Sequence, residues 1–284
     1  MTVAMTDRAG SAASGRSPVE RSISVIVTAM NEEGNLRPAV ESVIRAIGPR
    51  FLRYEVIIID DGSTDRTFEI GQSLAAGNPR IRVHRNGRNL GLGRSYRTGI
   101  DLATFEYTSW VAGNNMLSQE ALERVYDRVG ERDLVISYIL RDVRPFNRRV
   151  ISRAFTLGMN LLFSVNMRYY TGPCVFRTAV AKRFPPGAEG SLFVAELIVR
   201  LLRERQTFVE VGLQPLPRSS GSTKTFRLEN VVNVFGSVLL LFWELRVRRV
   251  FQARKPVRPR NVHSGSEPAA RPRTSRSDSV VRLE

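Results

Sequence analysis

Short apolar runs alternate along this chain with stretches in which apolar positions recur every three or four residues. Residues 23–28 and 55–59 are β-branched runs bounded by polar turns, the pattern of strands buried on both faces of a parallel sheet. Between them Leu36, Val40, Val43, Ile44 and Ile47 fall on one face of a helix. The alternation continues with a helix from about residue 64 to Gly77, a strand over 81–84, a helix from Gly93, and strands at Tyr107–Ala112 and Leu134–Ile139. Repeated strand–helix alternation predicts an α/β fold, an open, mostly parallel, Rossmann-like sheet with right-handed crossovers and flanking helices. Two more apolar helices are expected over 155–167 and 231–243. The second is interrupted by Asn233, Gly236 and Ser237 and falls short of the ~20 residues that span a bilayer, so no transmembrane helix is predicted.

Composition narrows the chemistry. A single cysteine, Cys174, excludes an intramolecular disulfide and any Cys-rich metal site, and two histidines leave little for a His-based triad or multi-His centre. Any metal must be held by oxygen. The net charge of +16 is partly a property of the C-terminal end: from Glu244 onward eleven Lys/Arg stand against four acids, a net +7. That stretch also carries four prolines from Pro256 to Pro272, and it reads as a basic tail over 251–284 that suits anionic lipid or nucleic acid. Residues 1–21, rich in Ala, Gly and Ser, lack an apolar core for a signal peptide, so a disordered leader and a cytoplasmic location are expected.

In such sheets ligands bind beyond the carboxyl ends of the strands. The residues there are Thr28 to Glu33 after the first strand, Asp60 to Asp65 after the second, and Gly113, Asn114 and Asn115 after the fourth. One carboxylate in the Asp60 and Asp61 pair is explained by capping the next helix, for which Ser63 and Thr64 also offer oxygens. A second adjacent carboxylate costs repulsion and suits a nucleobase, a ribose or a divalent cation. Glu32 adds a third acid to the same rim. Further on, a glycine-containing loop with Arg218 and Lys224 at its ends has the donors to hold a phosphate.

Residues 24–33, 55–65 and 89–93 resemble the nucleotide-binding half of family 2 glycosyltransferases with the GT-A fold. The Arg218-Ser219-Ser220-Gly221-Ser222-Thr223-Lys224 element, after a Glu196-containing helix and a strand at 208–211, is similar to the dolichyl-phosphate mannosyltransferase and polyprenyl-phosphate branch. The resemblance implies inverting transfer of a sugar from a UDP- or GDP-sugar to a polyprenyl phosphate at the cytoplasmic membrane face, the alternatives being transfer to another lipid or glycan acceptor, or nucleotide-sugar binding without catalysis. It implies a GT-A domain over 22–228 and an apolar helix over 229–250 facing a membrane, a membrane-protein partner or a second copy. Nucleic acid is not the expected partner. Thr28, Met30, Glu32, Asp60 and Asp61 would bind the nucleoside, Gly113 and Asn114 the diphosphate, and Arg141, Arg218 and Lys224 the phosphates, with Asp61, Asn114 and Arg218 closest to the chemistry. A lipid phosphate is already ionised near neutral pH, so no general base is required.

The departures are as informative as the matches. Relatives hold Mg²⁺ or Mn²⁺ through an Asp-x-Asp motif, and the matching positions are Ala112, Gly113 and Asn114. Three outcomes follow, in this order: a weak metal site using Asn114 or Asn115 with the phosphates, metal-free neutralisation by Arg141, Arg218 and Lys224, or binding without catalysis. Tyr169 and Tyr170 stand ahead of Gly172 where relatives carry an acid; they could stack on or hydrogen-bond a sugar, but packing under the loop is the expected use. Arginines 148, 149, 153 and 168 flank the helix at 155–167, as in helices that lie in a membrane interface.

Overall fold

The computed structural model describes residues 19–142, 144–183 and 192–216, together with residues 236, 238, 239 and 241–243. One seven-stranded sheet runs in the order β3-β2-β1-β4-β6-β5-β7. Its strands are β1 Val19–Ala29, β2 Phe51–Asp60, β3 Ile81–Arg85, β4 Tyr107–Ala112, β5 Leu134–Ile139, β6 Cys174–Arg177 and β7 Phe208–Leu213. All pairings are parallel except those of β6, which runs against β4 and β5. The helices are α1 Leu36–Ile47, α2 Thr67–Gly77, α3 Leu92–Leu102, α4 Gln119–Tyr126, α5 Phe146–Phe163, α6 Thr178–Arg183 and α7 Phe193–Arg203.

Two apolar clusters follow from the alternation of side chains along the strands. On one face Val25, Val27, Val56 and Ile58 pack with Val40, Val43 and Ile47 of α1 and Leu122 and Val125 of α4. On the other Ile26, Ile57, Ile59 and Trp110 pack with Tyr96 and Ile100 of α3 and Phe193 and Leu197 of α7. Gly99 lets α3 approach β1, because a Cβ there would lie 2.3 Å from Ile26 Cγ2.

Several boundaries differ from those the sequence pattern gives. β1 begins at Val19, inside the expected leader, because Val19 pairs with Phe51. α2 begins at Thr67 rather than at residue 64; Asp65 Oδ1 accepts the Thr67 N–H at 3.0 Å, while Ser63 Oγ accepts from Asn31 N at 3.0 Å. α5 starts nine residues before the expected 155 and ends at Phe163, with Ser164 left-handed at φ 56°. Pro145 opens it, and Arg148, Arg149 and Arg153, expected to flank it, are inside, since arginine is a good helix former, whereas Arg168 lies beyond its end. The antiparallel β6 has no counterpart in the expected sheet. In the segment expected to be an apolar helix facing a membrane or a partner, Val238 and Leu241 are buried in the core and Phe242 meets Phe163 edge-on at 6.3 Å, while Leu239 and Trp243 are exposed.

Glu55 fastens the end of the sheet opposite the ligand rim. Its carboxylate accepts from Ser24 Oγ at 2.7 Å, Thr104 N at 2.9 Å and Arg82 Nη2 at 2.6 Å. Burial alone raises its pKa, but the Ser24 and Thr104 hydrogen bonds and the Arg82 charge hold it below the usual value of 4.5. A depressed folded pKa gives stability that is present above the unfolded pKa and lost as pH falls through the folded one. Glu55→Gln is therefore expected to cost about 1–3 kcal/mol at neutral pH. It should also flatten the acid limb of a urea-stability profile below about pH 4.5. An unchanged acid limb would contradict this role.

Candidate active site

The parallel pairing of β2, β1 and β4 places three loops side by side. Ala29 is level with Asp60 and Thr28 with Ala112, and the ladder runs on as Asp61 N donates to Ala29 O and Gly113 N to Thr28 O, both at 2.9 Å. The first two loops are stitched together. Asn31, left-handed at φ 54°, accepts the Thr64 N–H at 2.8 Å, and Glu32 N donates to Thr67 Oγ1 at 2.8 Å.

The paired aspartates have different surroundings. Asp60 is fully buried, paired with Arg85 Nε at 3.2 Å, and Arg85 also donates to Ser63 O at 2.9 Å. Asp61 is 5% exposed and gathers the next loop: Oδ1 accepts from Asn86 Nδ2 and Leu90 N, each at 2.9 Å, and Oδ2 from Gly91 N at 3.0 Å. Asn86 is itself fixed by donating to Ser95 Oγ at 2.9 Å. Arg85 and Asn86 were missed by the sequence reading, which took in Leu90 and Gly91 only as part of the 89–93 motif. The charged end of β3 was the available signal, but pairing across strands is not written in local sequence.

The other expected residues divide. Thr28 is buried and its hydroxyl accepts from Trp110 Nε1 at 2.9 Å, so it shapes the floor of the rim from behind. Met30 lies at the surface side, with Asn89 Nδ2 3.1 Å from its sulfur. Glu32 Oε2 accepts from Asn35 Nδ2 at 2.6 Å. Asn114 Oδ1 accepts from Met116 N at 3.3 Å, and Asn115 is left-handed at φ 53°. Arg141 is exposed just beyond β5, its carbonyl accepting from Gln214 Nε2 at 3.2 Å. Arg218 and Lys224 lie outside the described residues. Leu216 donates its N–H to Met116 O at 2.8 Å, beside the Asn114 turn.

A cavity of about 370 Å³ opens between the end of β5 and α5. Arg144, Arg153, Arg168 and Tyr169 line its polar side, and Leu140 and Leu157 its apolar side. Arg144 donates through Nε to Asp142 at 2.6 Å, which holds that carboxyl below the usual range, and reaches the Tyr169 hydroxyl at 3.5 Å. Arg168 pairs with Glu210 at 3.7 Å, whereas Arg153 is exposed and makes no ion pair among the described residues. The two tyrosines part company. Tyr170 is buried as expected and donates to Asn160 Oδ1 at 2.7 Å, but Tyr169 lines the cavity. Cys174 is fully buried, and burial pushes its thiol up to about 12, so it is an inert packing residue.

An open, mostly parallel sheet with paired carboxylates at its rim and a cationic cavity beside it defines a GT-A enzyme domain. The chain matches the model of glycosyl transferase family 2 over residues 24–184, and it belongs to that family of sugar-transferring enzymes. It is 27% identical over 238 residues to the glycosyltransferase AglD of Haloferax volcanii, covering 80% of this chain and 38% of that protein. It is 30% identical over 111 residues to the glycosyltransferase GlyG of Streptococcus pneumoniae, covering 39% of this chain and 36% of that one. The chain thus aligns with little more than a third of either relative. Among solved structures, glucosyl-3-phosphoglycerate synthase from Mycobacterium tuberculosis, in complex with Mn²⁺, UDP and phosphoglyceric acid, superposes with a TM-score of 0.63. At 17% identity over 80% of each chain, this likeness establishes the fold.

Proposed function

We propose that this chain transfers a sugar from a nucleotide-sugar to a polyprenyl phosphate at the cytoplasmic face of a membrane, with inversion at the anomeric carbon. The cavity beside α5 carries this reading, because it joins a cationic wall to an apolar one. Its apolar edge continues along α5 as an exposed stripe of Phe146, Val150, Leu157 and Leu161, with Leu140 beside it. A phosphate on a long hydrocarbon has that same division of chemistry. Among the described residues no helix is long and apolar enough to cross a membrane, so the stripe and its arginines would lie along an anionic surface.

The donor sits in this reading on the rim of β1, β2 and β4. Met30 and Glu32 flank the nucleoside. Asp61 has one of its roughly four acceptor directions left for it after three bonds to the loop. Asp60 and Thr28 act through position, holding the turn and the floor. Gly113 and Asn114 face the diphosphate, and Arg141, Arg218 and Lys224 the phosphates. An ionised acceptor phosphate attacks the anomeric carbon in line as the nucleoside diphosphate departs, and the protein supplies alignment and cationic stabilisation.

The test is incubation with polyprenyl phosphate and a panel of UDP- and GDP-sugars, with glycosyl-phosphoryl lipid sought by mass spectrometry. Phosphoglyceric acid, the small anion bound in the structural neighbour, forms a parallel arm. Glycosyl-phosphoryl lipid supports the reading; product only on phosphoglyceric acid, or none, refutes it. Arg153→Ala is expected to raise the KM for the lipid phosphate roughly tenfold or more with the donor KM unchanged, the loss of one charge-assisted hydrogen bond. Equal effects on both substrates would remove Arg153 from the acceptor site. Leu157→Asp/Leu161→Asp should abolish sedimentation with anionic vesicles.

A further inference from the structure

The GT-A neighbour described above holds Mn²⁺ with UDP, so the donor atoms on this chain's rim decide whether it does the same. A Mg²⁺ or Mn²⁺ ion on a nucleotide is held by one or two protein carboxylates plus the phosphate oxygens and water. Ala112, Gly113 and Asn114 supply a single neutral amide oxygen, and that oxygen accepts the Met116 N–H at 3.3 Å.

The remaining acids near this edge are engaged elsewhere. Asp60 is buried against Arg85, Asp61 is bonded by two backbone amides and Asn86, and Glu32 is bonded by Asn35. Asp142, beyond β5, is held by Arg144 through both Nε and Nη2. No group of three His, Cys, Asp or Glu suited to a metal occurs among the described residues. Moving Asp60 or Asp142 to a cation would break its pairing with Arg85 or Arg144, and moving Asp61 would orphan the amides of the 86–91 loop, a cost that a single metal bond must first repay.

We propose that this chain binds its nucleoside diphosphate without a protein-held divalent cation, and that the acids left on its rim organise loops instead of ligating metal. The proposal rests on the nucleotide-sugar reading above for its ligand, and position 114 is where the metal function was given up. Asn114→Asp is the discriminating variant, because it is isosteric, sits at the surface side of a turn and restores only the charge.

Free Mn²⁺ is counted by electron paramagnetic resonance with the full chain alone, with UDP and with GDP, against nucleotide-only controls. Nucleotide affinity is measured by calorimetry in Mn²⁺ and in EDTA. The parent is expected to leave free Mn²⁺ at the control level and to bind nucleotide within about twofold in either condition, whereas Asn114→Asp takes up Mn²⁺ and gains roughly tenfold in nucleotide affinity with it. Uptake of Mn²⁺ by the parent beyond the control, or a roughly tenfold loss of its nucleotide affinity in EDTA, would overturn the proposal. An Asn114→Asp chain that also ignores Mn²⁺ would overturn the assignment of position 114 as the missing ligand. Failure of both nucleotides to bind refutes the donor reading separately, and the Mn²⁺ count on the chain alone still decides between uptake and none.

Discussion

Asp61→Ala is expected to cost about 3–5 kcal/mol of stability and to reduce nucleotide affinity by more than about tenfold, the largest effect of any single side chain on the rim. The carboxylate accepts from Asn86 Nδ2, Leu90 N and Gly91 N. Alanine leaves these donors without an acceptor, and each orphaned buried donor costs about 1–3 kcal/mol. Asp61→Asn should fall between the two, since an amide oxygen replaces one acceptor while its NH₂ faces a backbone N–H. Urea unfolding and nucleotide calorimetry on the three chains read the two effects separately. If the alanine variant kept the parent's stability, the loop-holding role would be wrong. Kept stability with lost affinity would make Asp61 a ligand contact only.

Gly62→Val should be nearly as damaging, for a backbone reason. Gly62 sits at φ +70°, and a Cβ there would lie 2.5 Å from the Arg88 carbonyl carbon and 2.7 Å from Asn89 N. The left-handed conformation alone costs a side chain about 1–3 kcal/mol, and a β-branched one the most. The contact is with backbone, so relief requires the 86–91 loop to move away from Asp61. Gly62→Ala is expected to do the same in milder form. Hydrogen exchange is the direct measurement: the Leu90 and Gly91 amides should lose protection while those in the centre of β1 keep theirs. Unaltered protection at Leu90 and Gly91 would show that the close approach of the two loops is not what fixes them.

Both predictions concern a contact between residues about 25 to 30 positions apart, and this marks what was legible in the sequence. The β-branched runs of β1, β2 and β4, the apolar face of α1, and the polar residues following each strand were readable because periodicity and turn chemistry are local. The same locality made the Asp60 and Asp61 pair visible in advance. Arginines 148, 149 and 153 looked like flanks of an apolar helix, yet they are inside α5, because apolar periodicity does not register the charged turns at the start of a helix. Thr28 and Asp60 looked like ligand contacts and are buried, one under Trp110 and one against Arg85.

The sequence by itself determined the α/β class, the strands that build the rim and the family. Only the tertiary structure decided that β6 enters the sheet antiparallel, that Asp61 is spent on the 86–91 loop while Asp60 is neutralised by Arg85, and that a cationic cavity with an apolar edge lies beside β5. The reason is physical. Propensity, periodicity and turn chemistry act over a few residues, whereas the partner of a buried charge and the wall of a cavity come from whichever distant segment the sheet order brings alongside.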